Sequence, residues 1–154
     1  MNIWTKRLLI LVSVGGGYCG AVFMSLLFSQ VRGHAAAYLL VVAMIATFGF
    51  GVWSGLKLIE NEARGLRLLR WFFAIQIPIL SSPYVAYHLS SGLAINVSWM
   101  GKQLSAFFRF GSEMGVSFLQ NQPWGLGVNV FALIMFLWTR RLIRGNAKTS
   151  DRVS

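Results

Sequence analysis

Two long stretches of the chain contain no charged residue and are mostly apolar. They cover residues 8–28 and 35–56. At a rise of about 1.5 Å per residue, each stretch makes a helix of roughly 30 Å, which matches the hydrocarbon thickness of a bilayer. Over the whole chain 56% of residues are hydrophobic and only 12% are charged, against about 25% charged residues in an ordinary soluble domain. These features predict an integral membrane protein.

The same reasoning predicts an all-α fold, a bundle of four transmembrane helices in a single integral membrane domain. The helices are expected at about residues 8–30, 35–58, 66–88 and 125–144. A secretory signal peptide is disfavoured for the first helix, because the apolar part of a signal is only about 7–15 residues long. Arg140 and Arg141 fall within the fourth helix, where long basic side chains can still reach the headgroup region.

Residues 89–123 form an insert on the outer face between the third and fourth helices. Leu93, Ile95 and Val97 alternate with Ala94 and Asn96, the period of a half-buried strand. The alternation returns over residues 108–118, where Gly111-Ser112 either closes a hairpin or bulges a longer strand. We expect a small β-hairpin. An interfacial amphipathic helix is the alternative, with these residues on one face: Leu104, Phe107, Phe108, Gly111 and Phe118.

Basic residues set the expected orientation. The chain has 14 Lys and Arg against four Asp and Glu. Eleven of the basic residues lie in three segments: before the first helix, in the loop 57–70, and in the end of the last span with the basic tail 145–154. The positive-inside rule places these segments, and so both termini, in the cytoplasm of a bacterial inner membrane. Because the basic residues flank apolar helices, they predict contacts with anionic lipid headgroups rather than with nucleic acid.

Glycines recur at helical spacing within the first two helices. Gly16 and Gly20 are four residues apart, as are Gly51 and Gly55. Such pairs let helix backbones approach closely. They predict packing within the bundle, an interface with another membrane protein or a second copy of this chain, or a ligand cavity.

Polar residues and prolines concentrate in the predicted third helix. They are Gln76, Pro78, Ser81, Ser82 and Pro83. Each proline removes a backbone donor, so the helix is expected to kink. A broken helix of this kind lines the substrate path of some transporters, and the plainer interpretation is a kinked structural helix.

The chain carries few residues suited to catalysis or metal binding. Its single cysteine, Cys19, excludes an intramolecular disulfide. His34 and His88 fall near helix ends, where they are weak candidates for haem or metal ligands. Ser81 and Ser82 have no assigned acid–base partner. We therefore expect no catalytic residues, no metal and no cofactor.

These observations favour a non-catalytic accessory, assembly or scaffold subunit of a membrane complex. A transporter or channel component, with the third helix lining a path, is the alternative. A haem-linked membrane redox protein that uses His34 and His88 is a further one.

Overall fold

The computed structural model describes residues 1–28, 35–101, 103–119 and 121–150. Its helices are α1 (Ile3–Ile10), α2 (Gly16–Phe28), α3 (Ala35–Glu60), α4 (Glu62–Ala74) and α5 (Val130–Ser150). A π-helical segment, Leu11–Gly15, joins α1 to α2 in one continuous helix. Within the described residues, two helices are long and apolar enough to cross a membrane, Ile3–Phe28 and Ala37–Glu60.

Between α4 and α5 the chain forms one antiparallel sheet of six strands. The strands are β1 (Pro78–Ser81), β2 (Val85–Ser90), β3 (Leu93–Met100), β4 (Gln103–Phe110), β5 (Glu113–Phe118) and β6 (Gly125–Asn129). Their spatial order is β4-β3-β6-β1-β2-β5. The strands that follow one another along the chain are therefore not always neighbours in the sheet.

Four of the strands belong to one long hairpin that is bent in the middle. β2 and β3 form one arm, and β4 and β5 form the other. The pairs Ser90↔Glu113 and Leu93↔Phe110 keep the same register on both sides of the bend. Gly92 and Gly111 lie at the bend with φ of +80° and +129°, values that only glycine adopts readily.

The bend forces the sheet to curl. β1 and β6 lie between β2 and β3, so a flat sheet would separate β2 from β3 by about 14 Å at a spacing of roughly 4.8 Å per strand. Only two residues connect them, and three residue steps span about 11 Å at most. The two ends of the sheet must therefore curve toward each other and enclose a concave face.

The two faces of the curled sheet differ in polarity. Residues from β4 and β5, at opposite ends of the strand order, line one cavity, which identifies the concave face. The concave face carries most of the polar side chains of the sheet together with apolar ones such as Phe107. The convex face carries exposed apolar side chains: Trp99, Leu104, Phe108, Phe110 and Leu126.

Two apolar clusters hold the helices and the sheet together. The first joins α1, α3, α4 and α5 through these buried residues: Leu9, Leu58, Leu66, Leu69, Phe72, Phe73 and Met135. The second joins α2 and α3 to β2 through Met24, Met44, Phe48 and Leu89. α4 is amphipathic, with Leu66 and Leu69 buried and Arg64 and Arg67 exposed, so it covers the end of α3 and keeps its charges at the surface.

The prediction of an all-α bundle of four transmembrane helices is wrong. The segment expected as a third helix, 66–88, is helical only to Ala74 and continues as β1 and β2. Proline cannot supply the helical N–H, whereas it is tolerated as the first residue of a strand, which is the position of Pro78. Pro83 lies in the turn that follows β1.

The region 89–123 is also larger in structure than a hairpin insert. The alternation beginning at Leu93 coincides with β3, and the second alternation runs through β4 and β5. Gly111 bends a continuous strand, and β4 and β5 do not pair with each other. Helix α5 begins at Val130 rather than at 125, because residues 125–129 pair with β1 and β3 as a strand.

The four glycines singled out in the sequence lie at close contacts within this chain. A Cβ at Gly16 would lie 2.7 Å from the backbone nitrogen of Gly92 in the sheet bend. A Cβ at Gly20 would meet the Phe48 ring, one at Gly51 the Phe72 ring, and one at Gly55 the side chains of Ser13 and Val14. The first helix therefore contacts both α3 and the sheet where it lacks side chains.

A side chain at Gly16 should destabilise the protein. The methyl group of Gly16→Ala would press on the sheet backbone, which cannot rotate away, at a cost of about 1–3 kcal/mol. Gly49→Ala is the matched control, because its Cβ would meet nothing within 4 Å and alanine favours a helix by about 0.5–1 kcal/mol. Thermal unfolding in detergent should show a lower Tm for Gly16→Ala only. Equal Tm values for both variants would show that the bend does not pack on this helix.

Candidate functional site

The concave face of the sheet encloses a polar cavity of about 220 Å³. Its polar lining consists of Ser81, His88, Ser90, Asn96, Ser98, Arg109, Glu113 and Gln122, and its apolar lining of Ile79, Leu80, Ala86, Leu89, Met100 and Phe107. These residues come from β1 to β5 and from the segment before β6. The cavity therefore exists only when the distant ends of the sheet have curled together.

One negative, one positive and one neutral side chain lie at the mouth of the cavity. His88 Nε2 is 3.3 Å from Glu113 Oε1, and Arg109 Nη1 pairs with Glu113 Oε2. All three side chains are between one third and one half exposed. Arg109 and Glu113 flank Gly111, so the bend brings them together on the concave face.

The backbone opposite His88 leaves room for its ring. Gly115 is the register partner of His88, and a Cβ at Gly115 would collide with the imidazole. The glycine therefore lets the imidazole lie flat across β5 and reach Glu113.

The environment of His88 favours the neutral imidazole. Burial lowers the pKa of His88 below its usual 6.5, and the positive charge of Arg109 lowers it further. Because Arg109 and Glu113 compensate each other, the mouth carries little net charge at neutral pH.

The floor of the cavity is formed by buried hydroxyl and amide groups. Ser81 Oγ donates a hydrogen bond to the carbonyl oxygen of Pro123 at 2.9 Å. Asn96 Oδ1 and Ser98 Oγ have no hydrogen-bond partner among the described residues, although Asn96 is 6% exposed and Ser98 only 2%. Asn129, the strand partner of Asn96, also has its Nδ2 buried without a partner among the described residues. Leaving a buried polar group unpaired costs about 1–3 kcal/mol, so these atoms weaken the fold unless a bound group satisfies them.

The polar residues expected in the third helix lie in different places. Ser81 lines the cavity. Gln76 is buried at the end of α4, where its Nε2 donates to the carbonyl oxygen of Phe72 at 3.0 Å. Ser82 and Pro83 belong to the turn after β1, and Pro78 begins that strand.

The two histidines are not brought together by anything the structure describes. His88 lies on β2 at the mouth of the cavity, and His34 lies outside the described residues. Ser81 shares the cavity with His88, but its hydroxyl is directed at Pro123. In the described part of the chain, no group of three or more His, Cys, Asp and Glu side chains could hold a metal ion.

Sequence reasoning missed Asn96, Ser98, Arg109 and Glu113 as members of one site. A signal was present: on β3 the polar residues occupy one face and the apolar residues the other. The charged pair also flanks Gly111 symmetrically. Both signals indicate a polar face, but neither says which other strand lies opposite.

A second and larger cavity, of about 500 Å³, is almost entirely apolar. It lies between the first helix and the sheet bend, and its lining includes Leu11, Cys19, Leu93 and Phe110. Such a cavity suits a hydrocarbon chain and offers little polar chemistry. The polar cavity is therefore the better candidate for specific recognition.

Comparisons with models of protein families, with curated proteins and with solved structures found no significant similarity. The function of this site therefore has to be inferred from its geometry and chemistry.

The neutral state of His88 predicts a pH-dependent stability. Because its pKa is lowered in the folded chain, the unfolded chain binds more protons once the pH falls toward 6.5, and the folded state loses stability. The Tm in detergent should therefore fall between pH 7.5 and pH 5.5. His88→Gln should flatten this dependence, and Arg109→Gln should weaken it by removing the repulsive charge. A His88→Gln variant with an unchanged pH profile would contradict this origin.

Proposed function

We propose that this protein is a non-catalytic integral membrane protein, an accessory, assembly or scaffold subunit of a membrane complex in a bacterial inner membrane. The observation that carries the proposal is the inverted polarity of the sheet. In a soluble antiparallel sheet the apolar face is covered and the polar face is solvated. Here the outward face carries Leu104 and Phe110 at 75% and 84% exposure, which suits an apolar environment.

The free edge of the sheet favours a protein partner over lipid alone. All eight residues of β4 are exposed, and in the described part of the chain this strand pairs only with β3. Lipid offers no hydrogen bonds, and each unsatisfied backbone group in hydrocarbon costs several kcal/mol. A strand or loop of another membrane protein, or of a second copy, would satisfy this edge.

The proposed orientation has both termini in the cytoplasm. It is supported by basic segments that lie together at one end of the helices. Lys6 Nζ is 3.5 Å from the carbonyl oxygen of Ile59 at the end of α3, and the amino group of Met1 pairs with Glu62 at 3.3 Å. The exposed Arg64 and Arg67 of α4 lie near the same end. This end would contact anionic headgroups.

The alternative functions lack such support. A transport path lined by a third membrane helix is not proposed, because that segment forms strands after Ala74. A haem site is not proposed either, since His88 Nε2 faces Glu113 and His34 lies outside the described residues.

Photo-crosslinking in intact cells tests the accessory role. A photoreactive benzoyl-phenylalanine in place of Phe108, which is 68% exposed on the convex face, should form a covalent adduct with a protein. Leu39, 71% exposed on α3, is the matched control and should yield lipid adducts. An adduct of twice the chain mass would identify the partner as a second copy. Lipid adducts alone at both positions would contradict the accessory role.

Reporter fusions test the orientation separately. Alkaline phosphatase is active only outside the cytoplasm, so a fusion after Ser154 should be inactive. An insertion between Phe28 and Ala35 should be active, because this connection joins the far ends of the two candidate membrane helices. The opposite pattern of activities would reverse the proposed orientation.

A further inference from the structure

We propose that the polar cavity of the curled sheet binds a small uncharged molecule rich in hydroxyl groups, such as a sugar, taken up either free or as the headgroup of a lipid. This binding site is independent of the accessory role proposed above. It rests on the chemistry of the cavity floor, the charge at its mouth and its size.

The floor offers hydrogen bonds that the fold leaves unused. Asn96 Oδ1 and Ser98 Oγ are buried, line the cavity and have no partner among the described residues. Of their strand neighbours, Gly127 has no side chain to bond to Ser98, and Asn129, paired with Asn96, has an Nδ2 that is itself buried without a partner in the described part of the chain. An amide oxygen and a hydroxyl in this position would accept and donate hydrogen bonds to ligand hydroxyls.

The mouth of the cavity selects against charged ligands. An anion attracted by Arg109 would be repelled by the carboxylate of Glu113. A cation attracted by Glu113 would be repelled by the guanidinium of Arg109. The neighbouring His88 is held neutral, and because its Nε2 faces the Glu113 carboxylate, its Nδ1 is left as an uncharged acceptor. An uncharged hydroxylated group gains hydrogen bonds from all three residues and is repelled by none.

The size of the cavity sets the scale of the ligand. At about 30 Å³ per water molecule in the liquid, the volume of about 220 Å³ corresponds to roughly seven waters. One monosaccharide or a glycerol unit fills such a space. The mouth groups are partly exposed, so a ligand can enter between the edges of the sheet.

Thermal unfolding of the purified full-length protein tests the proposal. The protein would be held in lauryldimethylamine oxide, a detergent without hydroxyl groups, and unfolding would be followed by the fluorescence of its six tryptophans. The probes are D-glucose, a monoglucosyl diacylglycerol and inorganic phosphate. A saturable rise in Tm with glucose identifies a free ligand, and a rise with the glucosyl lipid alone identifies a headgroup. Either result supports the proposal.

Two cavity variants and one control make the test specific. Asn96→Leu and Ser98→Ala remove the unused hydrogen-bonding atoms and should raise the probe concentration for a half-maximal Tm shift at least about tenfold, the effect of roughly one hydrogen bond. Ser105→Ala is the control, because Ser105 pairs with Ser98 across β3 and β4 but is exposed and lies outside the cavity. The ligand-free Tm of Ser98→Ala should not fall, since an unpaired buried hydroxyl is lost.

Four results would overturn the proposal. The first is no Tm shift with either glucose probe. The second is a shift with phosphate alone, which would indicate an anion site at Arg109. The third is an equal shift in the wild type and both cavity variants, which is the general effect of an excluded solute. The fourth is a Tm several degrees lower for ligand-free Asn96→Leu, which would show that this amide bonds to its strand partner Asn129.

Discussion

The contact between the sheet bend and the first helix underlies the rest of the structure. Ser112 Oγ donates to the carbonyl oxygen of Gly16, and the same hydroxyl accepts the N–H of Gly92. One side chain therefore joins both arms of the bent hairpin to the helix. The contact requires glycine at three places, because Gly92 and Gly111 have positive φ and Gly16 has no space for a Cβ. The contact holds the bend in place, and the bend in turn forces the sheet to curl around the cavity.

The sheet places polar side chains inside and apolar side chains outside, which is the opposite of the arrangement in a soluble protein. Its interior holds buried hydroxyl and amide groups, with a partly exposed charged pair at the mouth, while aromatic and aliphatic side chains such as Phe108 face outward. In water this arrangement would expose a large apolar surface and leave polar groups such as Ser98 unpaired, and both effects oppose folding. In an apolar environment the outward apolar side chains carry no free-energy penalty. Only the interior polar groups then still need hydrogen-bond partners. The proposed membrane location and the proposed ligand site thus rest on the same inversion.

Local sequence patterns predicted some elements well and others poorly. The uncharged stretches beginning at Leu8 and Ala35 became the two helices able to span a membrane, and the alternation from Leu93 became β3. The prediction failed over 66–88, where a helical beginning is followed by strands and apolar residues make up more than half of each part. Hydropathy over such a window measures burial or lipid contact and does not distinguish a helix from a pair of strands. Pro78 and Pro83 mark the change from helix to strands.

The sequence by itself determined two apolar segments long enough to cross a membrane, the basic clusters beside them and a polar face along β3, because these properties depend on composition and on neighbours a few residues apart. Tertiary structure decided that His88, Asn96, Arg109 and Glu113 share one cavity, and that Gly16 meets Gly92 rather than a partner helix. These groups are joined by pairings between distant strands, whose order β4-β3-β6-β1-β2-β5 has no local signature. A polar residue on a strand shows which face it occupies, but only the curl of the sheet determines what lies opposite it.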